Sequence, residues 1–453
     1  MSGADPRPFA ALSAPVRRAL RLSTAEGMLY ALMVGCGEAY FLADAIRLGA
    51  SSLQAGLVIG LPLFTGAAGP VLVLRALARL PRRKGLVVAV ILAQALVLLG
   101  LGLGEAAGRV TPAILIGAAC LYQVCGQAGG TAWSSWFGDL VPSAVRGRYF
   151  ALRTRWVHVA TLAGVSGAGL LLARLEPGSA IEAAGQGGAG FRLIFLLAAG
   201  FRALSAVLMA CTSEPRFAGL SERLLGFLRT KRGTAIRRVL VLGAALQLLV
   251  YAASPYFAPY MLQVLRFGYV EYTVATVCVV LAKVTFLPLW GRVIDDHGPR
   301  PTYTLAILLT ALIPLPFLFA RGLGLVLVAQ VLSGMSWAGY EVSHFALILD
   351  ATFKRTRPQV FAALSVLNGS AQVLGTLLAA PLLLLGGGDL RVLFAFSLVG
   401  RLVIGLLAPR LLPQSPNRPP IGRRDLLLRV IGLRAHGGLV HRPVVETEDD
   451  DGP

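Results

Sequence analysis

Four ionisable side chains stand inside long apolar runs of the sequence: Glu38, Lys283, Glu341 and His344. In the middle of a membrane helix a charged group costs roughly 2.5–3.5 kcal/mol, so such groups are functional candidates by default. Trp337 lies four residues before Glu341 and His344 lies three residues after it, which places these three side chains on one helix face. The chemistry open to the set is solute binding, charge pairing, or uptake and release of a proton.

Each of these residues also has a structural interpretation. Glu38 and Lys283 can form a buried ion pair as readily as they can serve a solute or a proton, so both hypotheses stay open. Glu341 can lie close enough to a membrane surface to be hydrated. For His344 we favour a packing role, because a single histidine on an apolar face is more often packed than functional.

Covalent catalysis and nucleotide hydrolysis are not indicated. The sequence has no Walker loop, no nucleophile elbow and no Cys/His metal cluster. Its five cysteines all fall in apolar runs without metal or redox spacing, which predicts packing roles. We therefore expect no enzyme activity, no metal and no cofactor.

The composition predicts an all-α integral membrane protein. Hydrophobic residues make up 56% of the 453 positions and charged residues only 14%. Repeated apolar runs of about 20 residues match the ~30 Å hydrocarbon core of a bilayer. The formal charge of +20 would suit nucleic acid as a partner, but not if the basic residues lie in the loops on one membrane side. We expect a lipid bilayer and a small solute as partners, no nucleic acid, and a monomer.

Hydrophobic segmentation predicts twelve spanning helices, with both chain ends on the same side. We place them at about residues 24–47, 53–74, 85–104, 110–137, 153–174, 190–211, 237–261, 269–290, 302–319, 322–348, 358–385 and 390–411. The predicted domains are an N-terminal segment (1–22), a six-helix bundle (23–211), a linker (212–236), a second six-helix bundle (237–411) and a tail (412–453). Apolar residues at helical spacing predict surface helices in the linker and at 421–436, and the acidic chain end is expected to be disordered.

The distribution of basic residues predicts the orientation. With the N-terminus inside, the tails and loops on that side hold 32 of the 42 Lys and Arg residues. The opposite loops hold 7, and 3 remain within helices. Cytoplasmic loops are rich in Lys and Arg, so this asymmetry puts both termini in the cytoplasm of an inner (plasma) membrane.

The chain also repeats itself. Segment 139–151 recurs as segment 350–362, an offset of 211, with Asp, Arg, Phe and Ala in the same spacing. Arg202 recurs as Arg401, an offset of 199. The two matches predict two pseudo-symmetric six-helix halves. Because an arginine stands at this position in both halves, we favour a structural role for Arg202 and Arg401. Each is expected to bind a loop carboxylate such as Asp139 or Asp350.

The stretch Gly291–Pro301, G-R-V-I-D-D-H-G-P-R-P, lies between two apolar runs and is predicted to be a tight charged loop at a membrane surface. It resembles the signature loop of the major facilitator superfamily, written here as G-x-x-x-D-x-x-G-x-R. Segment 139–148, D-L-V-P-S-A-V-R-G-R, resembles the loop after helix four of the same superfamily. The resemblance covers about residues 20–411 and implies a central cavity between two halves that opens alternately to each side.

The resemblance also implies gating by charged loops, and it has one departure. The equivalent first-half loop has Leu74 and Ala78 where the second half has Gly291 and Asp295, so a lopsided charge network is expected. Helix five lacks the Gly-Pro pair of drug–proton antiporters, which counts against multidrug efflux. The predicted gating residues are Gly291, Asp295, Arg300, Asp139, Arg146, Asp350 and Arg357.

In this superfamily helices one, four, seven and ten line the cavity, so the resemblance implies which side chains face a solute. The candidates are Glu38, Gln127, Tyr251, Lys283, Trp337, Glu341 and His344. The expected function is secondary active transport of a small solute by alternating access, with protons as the coupling ion. The alternatives are a lipid or lysolipid flippase of the same fold and a membrane scaffold or sensor that has lost transport.

Overall fold

The part of the chain that the structure describes folds into twelve apolar helical segments, as the sequence predicted. The computed structural model describes residues 12–79, 82–175, 188–217, 219–220, 229–267, 269–412 and 422–430. In that part of the chain, twelve segments are long and apolar enough to cross a membrane, and the secondary structure there is helical without strands.

The spanning segments are numbered α1 to α12 in chain order, and a short helix after them is α13. Their bounds are Ala14–Cys36 continued by Phe41–Arg47 (α1), Ser52–Gly66 with Ala68–Arg79 (α2), Arg83–Ala106 (α3), Pro112–Leu140 (α4), Arg146–Leu175 (α5), Ala189–Ala210 (α6), Lys231–Tyr251 (α7), Tyr269–His297 (α8), Pro299–Ala311 with Pro314–Phe319 (α9), Leu323–Ala351 (α10), Arg357–Leu385 (α11), Leu390–Leu411 (α12) and Arg423–Val430 (α13).

Several helices extend beyond their predicted ends. Helix α1 begins at Ala14, so the predicted domain boundary after residue 22 falls inside it. Helix α13 lies within the predicted surface helix 421–436. The centre of the predicted linker helix and the acidic chain end lie outside the described residues.

The helices pack as two groups with the same internal arrangement. In the first half α1 packs on α5 and α6, α2 on α4, and α3 on α6; in the second half α7 packs on α11 and α12, α8 on α10, and α9 on α12. The contacts between the halves pair α5 with α8 and α10, and α4 and α2 with α11. The matching contact patterns are the structural counterpart of the sequence repeat.

Helices α1 and α7 are interrupted at corresponding places. In α1 the break is a 3₁₀ turn at Glu38–Tyr40, and after α7 the chain makes a 3₁₀ turn at Ser254–Tyr256 and a π turn at Tyr260–Val264. Within a membrane, irregular backbone is tolerated where protein or a cavity supplies partners for its polar groups.

The stretch Gly291–Pro301 is not the loop that was predicted. Helix α8 continues past Pro288 and through Gly291 and Asp295 to His297, and it ends where Gly298 and Pro299 follow. The reversal is confined to Gly298, whose φ of 88° favours glycine. Asp295 therefore projects from the last turns of a rigid helix.

Candidate functional site

Two reciprocal ion pairs join the halves at the end of the bundle where α1 begins and α12 ends, called the basic end below. Arg146 donates to Asp350 Oδ1 at 3.0 Å, and Arg357 binds the carboxylate of Asp139. Each aspartate of the repeated segment thus pairs with the arginine of the other half. Both arginines also donate to the Gly138 carbonyl oxygen, at 3.2 and 2.9 Å.

The two pairs differ in burial. Asp139 is 2% exposed and also accepts from Arg83 Nη1 at 2.6 Å, whereas the Asp350 side chain is 35% exposed. An exposed ion pair contributes little, whereas a buried carboxylate between two guanidinium groups is costly to leave unpaired. The Asp139 cluster is therefore the stronger of the two connections.

Asp295 binds the first turn of a helix in the other half. Its carboxylate accepts from the backbone N–H groups of Gly147 at 2.6 Å and Arg148 at 3.0 Å, near the start of α5. A carboxylate at a helix N-terminus satisfies free N–H donors and the helix dipole. The approach requires Gly291, since a Cβ there would lie 2.6 Å from the Ala151 Cβ. The helix α11 that corresponds to α5 has no side-chain cap at Thr356.

Arg300 does not join the halves in this structure. Its Nη2 donates to the Pro409 carbonyl oxygen at 2.7 Å, which ties α9 to α12 within the second half. Its predicted gating role therefore has no contact between the halves to support it here.

A cavity of about 560 Å³ lies in the second half, between α7, α9, α10, α11 and α12. Three predicted site residues line it: Tyr251, Trp337 and Glu341. Gln247, Gln330, Gln372 and the buried Arg401 add further polar groups, and of these the sequence prediction did not place Gln330, Gln372 or Arg401 at this site. An aromatic wall with a few convergent polar groups is typical of a site for a small molecule.

Lys283 pairs with Glu341 and not with Glu38. Lys283 Nζ lies 2.5 Å from Glu341 Oε1, and His158 Nε2 on α5 lies 3.7 Å from Glu341 Oε2. The proposed Glu38–Lys283 pair is thus wrong, because a partner on the packed helix α10 lies within reach. His158 was missed, although it is a lone histidine inside an apolar helix.

Glu38 lies in the 3₁₀ break of α1, in a smaller cleft of about 260 Å³ between α1, α2 and α4. Tyr122 Oη donates to its Oε2 at 2.9 Å. Gln127 lies on α4 at the crossing with α2, where its side chain approaches Gly66 and Gly69. These two residues belong to the first half, apart from the cavity around Tyr251.

His344 is a packing residue in this structure. It stacks on Tyr303 with ring centroids 5.2 Å apart and packs beside Tyr340. It shares a helix face with Trp337 but lies two turns nearer the basic end, where α7 and α9 close on α10.

A buried charge cluster in the first half was not predicted. Glu26 on α1, only 5% exposed, accepts from Arg153 Nη2 at 3.2 Å and from Ser205 Oγ at 3.1 Å, and lies 3.6 Å from Arg202 Nη1. Arg202 also donates to the Gln94 side-chain oxygen. The predicted clamp to Asp139 is therefore wrong. Arg153, which stands at the start of the predicted fifth helix (153–174), lies within helix α5.

Arg401 has no such partner. It donates to the backbone carbonyl oxygens of Thr310 at 3.2 Å and Val250 at 3.4 Å, and the described part of the chain brings no carboxylate within ion-pair distance of it. Its Nε is buried without a hydrogen-bond partner. The predicted clamp to Asp350 is wrong as well.

An apolar crevice of about 530 Å³ lies between α8 and α10 on the outer face of the bundle. Its wall includes the exposed Leu281 and Val331, and no charged group lines it. It offers nothing to a lipid headgroup, so it does not favour the flippase alternative.

Comparisons with known proteins agree with this architecture. Residues 239–444 match the family model described as Major Facilitator Superfamily. A search of curated protein sequences gives no match.

Solved structures match over most of the chain at low identity. The human organic anion transporter MFSD10 (TETRAN) is 15% identical, with a TM-score of 0.69 over 87% of this chain and 100% of that one. The transporter FucP in the outward conformation is 14% identical, with a TM-score of 0.72 over 87% of this chain and 99% of that one. The proton:xylose symporter XylE bound to 6-bromo-6-deoxy-D-glucose is 13% identical, with a TM-score of 0.68 over 89% and 97%.

The similarity to these structures extends through both halves, whereas the family model covers the second half, where Gly291 and Asp295 are present. Together with the twelve apolar helices of the described residues and the two repeated bundles, these matches show that the chain is a multi-pass membrane protein with the fold of major facilitator superfamily transporters, and that its second half matches the model of that family.

Proposed function

We propose that the protein is a secondary active transporter that moves a small solute by alternating access and is coupled to protons. One observation carries the proposal: in the described residues, the ion pairs between the halves lie at the basic end or at His158, while a cavity lies in the membrane. Such an arrangement suits a state closed at the basic end. A state open there needs only these contacts to separate.

The proposed orientation puts the basic end in the cytoplasm of an inner membrane, as the 32 to 7 distribution of Lys and Arg favours. Reporter fusions at Pro453 and near Gly185 are then expected to lie on opposite sides. Finding both on one side would overturn the orientation. The proteins of similar structure are named for different solutes, organic anions and xylose among them, so the fold does not choose a solute.

Two carboxylates are candidates for proton coupling. Glu341 contacts Lys283 in its own half and His158 in the other, so a proton on Glu341 would weaken contacts that span the halves. Glu38 accepts a hydrogen bond from the Tyr122 side chain and forms no ion pair with the described residues. A carboxylate that serves coupling has to exchange its proton with each side in turn.

Transport in proteoliposomes tests the proposal. A thermal-shift screen of metabolites and drugs first identifies a ligand, since binding to the folded state alone raises its stability. Ligand exchange at equal concentrations and accumulation driven by a proton gradient are then measured separately. We expect Glu341→Gln or Glu38→Gln to abolish accumulation and to spare exchange, because exchange needs alternation but no net proton release.

The outcomes are distinct. If no ligand is exchanged by the wild type, the transport proposal fails and a scaffold or sensor remains. If both variants accumulate ligand normally, proton coupling through these carboxylates fails. A variant that is dead in exchange and has a lowered thermal stability would mean that its carboxylate holds the bundle together.

A further inference from the structure

Arg401 is a desolvated cation whose hydrogen-bonding capacity is only partly used. The guanidinium group has five N–H donors, and two of them bind the carbonyl oxygens of Thr310 and Val250. The side chain is 1% exposed and its Nε has no partner. A buried charge without a counterion is costly, and its cost falls when an anion binds beside it.

The two carbonyl contacts have a structural reason. Thr310 lies at the end of the first part of α9, and the residue four positions later, Pro314, has no N–H to bind its carbonyl oxygen. Val250 lies in the last turn of α7. Arg401 therefore caps two helix ends, whose carbonyl groups carry partial negative charge. Capping accounts for two donors and leaves Nε unexplained.

Arg401 borders a cavity, although only 1% of its surface is exposed. Arg401 contributes to the wall of the 560 Å³ cavity, together with Gln247, Gln330 and Gln372. The glutamine amides supply donors and acceptors for a polar solute, and Trp337 supplies an apolar face. The one carboxylate in this wall, Glu341, is already engaged by Lys283 and His158.

Resting on the proposed transport function, we infer that this cavity binds a small water-soluble organic anion, whose carboxylate accepts hydrogen bonds from Arg401. Arg401, Lys283 and Glu341 together leave a formal charge of +1 at the cavity when His158 is neutral. A carboxylate of the solute neutralises that charge. Its remaining hydroxyl or amide groups bind the glutamines.

The attraction for anions is testable without knowing the solute. Trp337 is a fluorescent reporter in the cavity wall, and iodide, caesium and acrylamide are anionic, cationic and neutral quenchers. The exposed Trp156 is replaced by Phe in both proteins that are compared. The fluorescence of Trp337 is then the difference between Trp156→Phe and the double variant Trp156→Phe/Trp337→Phe. We expect iodide to quench Trp337 more strongly than caesium does, relative to acrylamide. Equal quenching by the two ions would overturn the inference.

A matched pair of variants assigns the effect to Arg401. Arg401→Gln is expected to lower the iodide-to-acrylamide ratio at Trp337 by at least about twofold, because the local potential falls. Arg410→Gln removes the same charge from an exposed position on the same helix and is expected to leave the ratio unchanged. If Arg401→Gln does not fold, Arg401→Lys keeps the charge and is expected to keep the ratio. A lowered iodide-to-acrylamide quenching ratio in Arg410→Gln, or an unchanged ratio in folded Arg401→Gln, would contradict an anion site at Arg401.

Organic probes define the class of solute. Sodium gluconate, lactate and benzoate are expected to protect Trp337 from iodide, and neutral sorbitol, propane-1,2-diol and benzyl alcohol are not. Protection by lysophosphatidylglycerol alone would overturn the assignment to a soluble anion. Protection by none of the carboxylates would do so too.

Flux measurements separate this inference from the proposed function. Anion binding that depends on Arg401, without exchange of any bound anion, would leave the site standing and remove transport. Exchange of a neutral solute, with no anion effect at Trp337, would leave transport standing and remove the anion site.

Discussion

Arg202 and Arg401 hold equivalent places in the two halves, yet their surroundings differ. Arg202 shares the Glu26 carboxylate with Arg153 and binds Gln94, whereas Arg401 binds only backbone carbonyl oxygens. The repeat placed a buried cation twice. The residues on neighbouring helices decided that one cation is neutralised by protein and the other faces a cavity.

The basic end shows the same contrast. Asp139 and Asp350 are equivalent, but only Asp139 has the additional partner Arg83. Asp295 caps α5, whereas the equivalent position in α2, which packs on α11, is Ala78. The repeat therefore places equivalent positions at the basic end of both halves. Because the two halves differ in sequence at and around these positions, one member of each equivalent pair makes more stabilising contacts than the other.

The largest effect is expected from replacing Glu26, whose carboxylate lies beside Arg202 and Arg153 in the first half. Glu26→Gln leaves the buried Arg202 and the partly buried Arg153 without this counterion and is expected to destabilise the fold by roughly 3–5 kcal/mol. Thermal unfolding in a neutral detergent measures it. The double variant Glu26→Gln/Arg202→Gln is expected to recover part of the loss. Unchanged stability of Glu26→Gln would show that Glu26 does not neutralise the buried cation of the first half, so that Arg202 and Arg401 would not differ in this respect.

The aspartates at the basic end come next. Asp139→Asn removes the carboxylate that pairs with the buried Arg357, and it removes one of the two carboxylates that pair with the buried Arg83, which keeps Glu214. It is expected to shift the open–closed equilibrium by about 3 kcal/mol, whereas Asp350→Asn costs below about 1 kcal/mol because that pair is partly exposed. Distances between spin labels at Arg18 and Lys354, both exposed at the basic end, report the opening. Equal opening by the two variants would show that burial does not rank these pairs.

Asp295→Asn is a milder change, since the amide oxygen still accepts one hydrogen bond from the start of α5. Losing the charge at this helix N-terminus costs about 1 kcal/mol. We expect slower transport with normal membrane insertion, and a partial opening with the same spin labels. Transport at the wild-type rate would remove the gating role of this residue.

The smallest effect comes from restoring the missing acid. Ala78→Asp places a carboxylate where the first half lacks one, and it is expected to favour the closed state by about 0.5 kcal/mol through the start of α11. The spin-label distance distribution should narrow toward the closed distance. Ala78→Asn, without the charge, is the control. No difference between the two would mean that α11 lies out of reach of that position.

Sequence by itself determined the membrane class, the twelve helices and the two halves. Apolar length sets each span because the bilayer core has a fixed thickness, and this signal is local. The repeat of the Asp139 segment was also readable, because charged residues in an apolar chain are few and their spacing is informative. The aspartate–arginine pairs between the halves follow from that repeat once the halves face each other.

Only the tertiary structure decided which charges meet. Lys283 pairs with Glu341, and Glu26 with Arg153 and Arg202, because helices distant in sequence pack side by side at particular rotations. Those rotations depend on close contacts such as Gly291 against Ala151, which no periodicity in one helix encodes. The cavity at Arg401 was hidden for the same reason, because five helices line it together and no single helix shows which of its polar residues face the others.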